Sequence, residues 1–530
     1  MRVSWETTVA RKREAQCAAI AHFEASHMQE VEHSLTDLAD VAVVAEKLNL
    51  GGLKVEDVVK SYISRAIAAH RKTNCLTEIL FEDAIRKGQA LDKSLTGPCY
   101  HGRPFHGVPM TLKDQFNVIG YDSSIGYVGR TFSPATESCA LVKMLESLGA
   151  VIIAKTNLPQ SIMWCETANP LWGLTTNPLN EGYTSGGSTG GESALLALHG
   201  SLVGWGTDIG GSIRIPSHMM GIYGFKPSSS RLPYHGVPVS TEGQEHVPSS
   251  VGPMARSLAS IEFVMRHLIQ AQPWEYDARC APIPWRQEVF DSIRSRPLTI
   301  GVLFDDQVVR PHPPVTRVLT SAIAALKAAG HDIIEWDATL HSDIIATMDA
   351  FYAADGCEDI KVDMARGGEP TIPHVQQLIN RAKPMSVYEY WQLNKKKWAL
   401  QQAYHEKWKH IKSQTTGKIA DVLIMPPMPH TSVPHGGCKW VGYTKIWNLL
   451  DYSALVIPAG KVKPSDENAQ WDHAPRSEMD LWNSDLWKTH KAEMADLQLP
   501  VGIQIVGRKL EEEKVLAAGS VIDKILRQQI

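Results

Sequence analysis

An α/β fold built as one large domain is what the sequence predicts, and three observations carry that reading. Apolar spacing alternates between helical and strand periods from end to end. A unit of helix, glycine and strand occurs at least twice. No flexible linker divides the chain, because aromatic residues persist even through its polar stretches.

In chain order, the first 95 residues read as mainly helical, with Leu53 to Ala69 the clearest amphipathic run. Leu141, Met144, Leu145 and Leu148 then share one helical face, Gly149 stands where a C-terminal cap belongs, and Ala150 to Ala154 form a short apolar strand. The unit recurs where Val315, Val318, Leu319, Ala322, Ile323 and Leu326 precede Gly330 and the strand start Ile333-Ile334. Further strands are expected at Leu298 to Leu303, Val422 to Met425, Leu455 to Pro458 and Val501 to Val506. Gln272 to Gln287 and Lys461 to Lys491 read as surface excursions. No repeat at a fixed period is visible, which excludes solenoids and propellers.

Composition narrows the function classes. The 530 residues carry 53 Lys+Arg against 57 Asp+Glu, a formal charge of −4. Neither a basic excess nor a basic cluster is present, so no nucleic-acid partner is expected. No run approaches the length of a membrane span, and no signal-like apolar stretch follows the basic residues at the start, so no membrane partner is expected either. The eight cysteines are scattered without C-x-x-C or His/Cys ligand spacing, which reads as free thiols in a reducing compartment. A cytoplasmic protein without a metal site is the expectation.

Glycine, serine and threonine concentrate between Gly107 and Pro227. In YTSGGSTGGESA (183–194), a glycine-rich turn leads into the apolar LLAL of a helix, and backbone N–H groups at such a turn suit developing negative charge. A phosphate-cradling loop would need Lys-Ser/Thr at its end, which is missing, and the spacing suits a dinucleotide fingerprint poorly. Gly186 to Gly190 does satisfy G-x-S-x-G, the nucleophile elbow, which would make Ser188 the nucleophile with a later histidine. That reading stays open, but it leaves a second serine site unexplained: Thr207-Asp208-Ile209-Gly210-Gly211-Ser212-Ile213-Arg214. Two glycines before Ser212 let successive N–H groups face one point, as an oxyanion hole requires.

Taken together, Gly107-Val108-Pro109 with Lys113-Asp114, the Gly186 to Glu192 loop, Thr207 to Pro216 and Gly224-Phe225-Lys226-Pro227 resemble the amidase-signature hydrolases in order and spacing. Ser4-Trp5-Glu6, Gly243-Gln244-Glu245, Pro273 to Asp277, Pro284 to Gln287, Tyr352 to Gly356 and Pro500 to Arg508 extend the likeness toward the fungal acetamidase branch, so that it covers essentially the whole chain. The resemblance implies a central mixed β-sheet covered by helices on both faces, with a helical region 1–95 packed on a catalytic body 96–530 in one continuous domain.

It also implies a Ser–cis-Ser–Lys triad: Ser212 as the acylated nucleophile, Ser188 as the bridging serine after a cis peptide, and Lys113 as the base. Lysine at its ordinary pKa of about 10.4 is no base at neutral pH, so Lys113 must be desolvated. The N–H groups of Ile209, Gly210, Gly211 and Ser212 are the implied oxyanion donors, and Thr207, Asp208 and Arg214 the supporting residues. Asp208 and Arg214 read better as a loop-fixing salt bridge than as catalysts. Ile162 matches an acyl-pocket position, with Met163, Trp164 and Trp172 nearby as candidates for either substrate contact or core. One position departs from the family's usual GGSSGG: Thr189 keeps the hydroxyl but adds a methyl group.

The function so implied is cofactor-free hydrolysis of a carboxylic acid amide to acid and ammonia or amine. The partner is a small-molecule amide, most simply a small aliphatic or aromatic one as for an acetamidase, with indolic, fatty and specialised-metabolite amides as alternatives. A homodimer is compatible with this reading. A non-catalytic ligand-binding homologue and an amidotransferase subunit are the alternatives of another class.

Overall fold

A computed structural model describes residues 4–28, 33–94, 102–471 and 473–528. Cys99 and the expected 95/96 boundary lie outside them. The backbone is organised by one eleven-stranded sheet in the order Leu76–Ile79, Val151–Thr156, Pro109–Lys113, Val203–Asp208, Ser250–Ala255, Tyr223–Lys226, Ser453–Lys461, Pro500–Gly507, Val422–Met425, Thr299–Val302 and Asp332–Glu335. Pro109–Lys113 runs parallel to both its neighbours, as does Thr299–Val302, while the pairings through the centre are antiparallel. The sheet is therefore mixed, and the chain forms a single large α/β domain.

Successive strand residues face opposite sides of a sheet. Val151–Thr156, Val203–Asp208 and Ser250–Ala255 are buried at every position, so helices and loops cover both faces there. One continuous apolar core spans the sheet, and a second cluster around Trp336, Tyr404, Trp408 and Trp447 lies beside it.

The helix expected from Leu53 runs Val55–Thr73, capped by Asn74 in the left-handed region. Between Val55 and Ser94 the region is helical except for Leu76–Ile79, which joins the edge of the sheet beside Val151–Thr156. Four further strands of this sheet escaped the periodicity reading: Pro109–Lys113, Val203–Asp208, Tyr223–Lys226 and Ser250–Ala255. Gly, Pro, Thr, Lys and Asp interrupt their apolar runs, yet two of them, Pro109–Lys113 and Val203–Asp208, carry the chemistry described below.

The two expected excursions are not simply surface. Lys461 to Lys491 contains most of the helix Glu478–Asp496, which buries Leu486, Trp487 and Met494. In Gln272 to Gln287, the Asp277 carboxylate accepts the N–H groups of Tyr234 and His235, and Trp285 packs into the core. No helix among the described residues is long and apolar enough to cross a membrane.

Candidate active site

Parallel pairing of Pro109–Lys113 with Val203–Asp208 aligns the ends of the two strands. Lys113 closes the first, Thr207 and Asp208 close the second, and the turn after Asp208 delivers Ser212 before the helix Arg214–Met220 begins. The glycine-rich loop arrives from the other side and enters the helix Gly190–Ala197. The Gly187–Ser188 peptide is cis, and the Thr189 N–H donates to the Ser212 carbonyl at 3.1 Å, joining the two serine loops.

Lys113 Nζ lies 2.7 Å from Ser188 Oγ and 3.0 Å from Thr207 Oγ1, and all three side chains are buried. Burial pulls the Lys113 ammonium down to about 7, against the opposing attraction of Asp208. Thr207 donates in turn to Gln115 Oε1 at 2.7 Å, and Gln115 Nε2 donates to the Pro238 carbonyl at 3.0 Å. The lysine is thus aimed by Thr207 and, through it, by Gln115, two positions past it on the chain.

Asp208 and Arg214 form a bidentate ion pair with no solvent exposure, at 2.9 Å from Nε to Oδ2 and 2.8 Å from Nη2 to Oδ1. Burial pushes the Asp208 carboxyl up, but the Arg214 charge and its hydrogen bonds hold it well below the usual carboxylate range. Arg214 also donates to Thr444 O, Gln504 Oε1 and Asn448 Oδ1, so its guanidinium is fully engaged. The same Asp208 carboxylate accepts the N–H groups of Gly211 and Ile213. Of the four expected oxyanion donors, the Gly211 N–H is therefore already spoken for, because the acid that fixes the turn reaches it first.

Tyr352 Oη donates to the Ile209 carbonyl at 3.2 Å, and Thr444 Oγ1 to the Gly210 carbonyl at 2.6 Å. These bonds fix the two carbonyls of the turn. Both glycines are required: a Cβ on Gly210 would come within 2.3 Å of Tyr352 Oη, and one on Gly211, at φ +131°, within 2.4 Å of Thr444 Oγ1.

Two cavities meet at Ser212, sharing Ile162, Met163, Ile209 and Ser212 in their walls. The larger holds about 740 Å³ and reaches Ser188, Thr207, Tyr234 and Arg279; the smaller holds about 270 Å³ and reaches Trp164, Tyr352 and Trp440. Ile162, Met163 and Trp164 thus stand at the site, whereas Trp172 packs in a core cluster with Val9, Val128 and Leu171. Thr189 Oγ1 is buried and finds no hydrogen-bond partner among the described residues, while its methyl group packs toward Gly206. Gln115, Tyr352 and Thr444 had not been singled out as site residues. Tyr352 stood in a stretch that carries the resemblance without a role attached to it, and for Thr444 no local signal was available, since only the fold brings it to the turn.

Comparison with known proteins places the chain by family and fold. The family model described as Amidase matches residues 57–516. "Amidase 1" of Gibberella moniliformis (strain M3125 / FGSC 7600) is 49% identical over 99% of both chains. "Acetamidase" of Emericella nidulans (strain FGSC A4 / ATCC 38163 / CBS 112.46 / NRRL 194 / M139) is 35% identical over 94% of this chain and 91% of its own. Among solved structures, a fatty acid amide hydrolase superposes with a TM-score of 0.84 at 28% identity, covering 99% of this chain and 91% of its own. With its fold, its ordered motifs and its relatives in agreement along nearly the whole length, the chain belongs to the amidase-signature family and is a hydrolase of amides.

Proposed function

We propose that the chain cleaves a carboxamide to acid and ammonia or amine through an acyl-enzyme on Ser212. The observation that carries the reading is the fully buried Lys113 at 2.7 Å from Ser188, with its pKa brought down to about 7. Near neutral pH a large fraction of such a lysine is unprotonated and able to act as a base.

Ser212 Oγ attacks the carbonyl carbon as its proton passes to Ser188, whose own proton passes to Lys113. The oxygen, now negatively charged, faces the N–H groups of Ile209, Gly210 and Ser212. Return of the proton along the same serine relay converts the departing nitrogen to a neutral amine, and the C–N bond breaks. Water then enters, gives its proton to the relay, and attacks the Ser212 ester; acid leaves and Ser212 is regenerated. Ser188 has lysine rather than histidine as its partner, which favours this relay over the elbow reading.

Substrates on this reading run from small acetamidase-like amides to larger aromatic or specialised-metabolite amides. The larger cavity, at about 740 Å³, has the volume of a site for ligands well beyond acetamide. The test is ammonia or amine release from a panel of aliphatic, aromatic and long-chain amides, using the purified chain alone. Turnover of at least one amide is expected, and silence on every amide and ester would favour a non-catalytic binder.

A further inference from the structure

The two cavities that meet at Ser212 differ in charge. In the larger one, Arg130 pairs with Asp363 at 2.6 Å and Arg279 with Asp277 at 3.4 Å, and Glu242 and Glu245 stand at its rim. The smaller is lined by three cations, Arg381, Lys439 and Lys445, against one carboxylate, Asp349. That carboxylate is taken by Lys445 at 2.5 Å.

Lys439 lies 3.4 Å over the Trp482 ring and keeps its charge exposed. Arg381, the last residue of the helix Pro373–Arg381, is exposed at the mouth and forms no ion pair among the described residues. His374 stacks on Trp164 and adds no charge at neutral pH, since burial pulls it down to about 4. Glu166, behind the wall, is committed to the N–H groups of Gly436 and Cys438. The rest of the lining is mainly apolar, including Ile162, Met163, Trp440 and Met479.

We propose that the smaller cavity selects substrates carrying a carboxylate on the substituent that enters it, and that Arg381 is the specificity-determining residue, with Lys439 assisting. This rests on the amidase reading above, with the scissile carbonyl at Ser212. A volume of 270 Å³ corresponds to about nine water molecules, room for a short methylene chain ending in a carboxylate. Apolar walls suit the chain, and the exposed guanidinium in the lining matches a carboxylate in a bidentate pair. A low-dielectric cleft of one sign also concentrates the oppositely charged ligand.

The test compares glutaramate with 5-methylhexanamide, which replaces the carboxylate by an isopropyl group of the same shape. At low ionic strength kcat/KM is expected to favour glutaramate by about tenfold or more, mainly through KM, with the preference shrinking as salt screens the rim. In Arg381→Gln the ratio should collapse toward one, and Arg381→Lys should restore part of it. Equal turnover of the two amides by the unaltered enzyme, or a preference that survives Arg381→Gln, would overturn the proposal. Should neither amide be hydrolysed, the amide panel above decides the amidase reading separately. Calorimetric binding of the same two compounds to Ser212→Ala then decides the cavity's preference: tighter binding of glutaramate that is lost in high salt supports it, and equal binding overturns it.

Discussion

Lys113 Nζ, fully buried, sits 2.7 Å from Ser188 Oγ, and that contact joins a lysine of depressed pKa to the serine proposed as its relay partner. In the proposed role only the unprotonated lysine can accept a proton, and burial is what brings that form within reach of neutral pH. Amide turnover should therefore rise with pH through an apparent pKa near 7 and level off above it. A pH profile of kcat/KM on a neutral amide checks this, and a profile flat from pH 5 to pH 9 would be inconsistent with it.

Lys113→Ala removes the base and should lower kcat by about 10²–10⁴-fold, with the limb near pH 7 abolished. Lys113→Met keeps the volume of the side chain and separates loss of chemistry from loss of packing. If both variants unfold in the same denaturant range as the parent yet turn over amides at the parental rate, the base assignment is wrong.

The Asp208–Arg214 pair organises the turn before Ser212. Asp208→Asn leaves a guanidinium buried without its counter-charge and is expected to cost about 3–5 kcal/mol in denaturant unfolding. Asp208 has its carboxyl held below the unfolded value, so the stability it contributes is present above about pH 4 and is lost as the pH falls further. A loss below about 1 kcal/mol for Asp208→Asn would mark the pair as dispensable.

Much of this site was legible because the residues that carry it lie in contiguous motifs. Lys113, Ser188 and Ser212 could be named from short strings, and so could the Asp208–Arg214 pair. The strands beneath them were not legible. Val203–Asp208 reads VGWGTD and resembles a loop, yet it is a fully buried strand, and Gly204 is small because the Glu192 carboxylate occupies the space a Cβ would need. Gln115, Tyr352, Thr444, Asn448 and Gln504 bear on the site through hydrogen bonds that span up to 290 residues of sequence or have no motif to mark them. Burial on both faces made Val422–Met425 legible as an unbroken apolar run and Pro500–Gly507 as one interrupted only by Gln504.

Thr189 offers a milder test. Its buried hydroxyl has no partner among the described residues, so Thr189→Val exchanges it for a methyl group at constant shape without breaking a bond seen there. Stability should stay within about 1 kcal/mol of the parent or rise slightly, with activity retained. A loss of activity beyond about tenfold would place the Thr189 hydroxyl in the catalytic hydrogen-bond network.

Gly210→Ala should lower kcat by about 10²–10³-fold, because the new Cβ drives Tyr352 Oη and the Ile209–Gly210 peptide apart and misaligns the N–H donors. Since the clash is with the end of one side chain, Gly210→Ala combined with Tyr352→Phe should recover part of the loss. Kinetics of the two single variants and the double variant measure that coupling, and strict additivity would exclude the clash as the cause.

Covalent labelling tests the assignment of the nucleophile most directly. The chain is treated with a phosphonyl fluoride, digested and mapped by mass spectrometry, with Ser212→Ala and Ser188→Ala treated in parallel. The expected adduct lies on Ser212, within the peptide Ile209 to Arg214, and is absent from Ser212→Ala. An adduct on Ser188 that survives in Ser212→Ala would contradict the relay and make Ser188 the nucleophile.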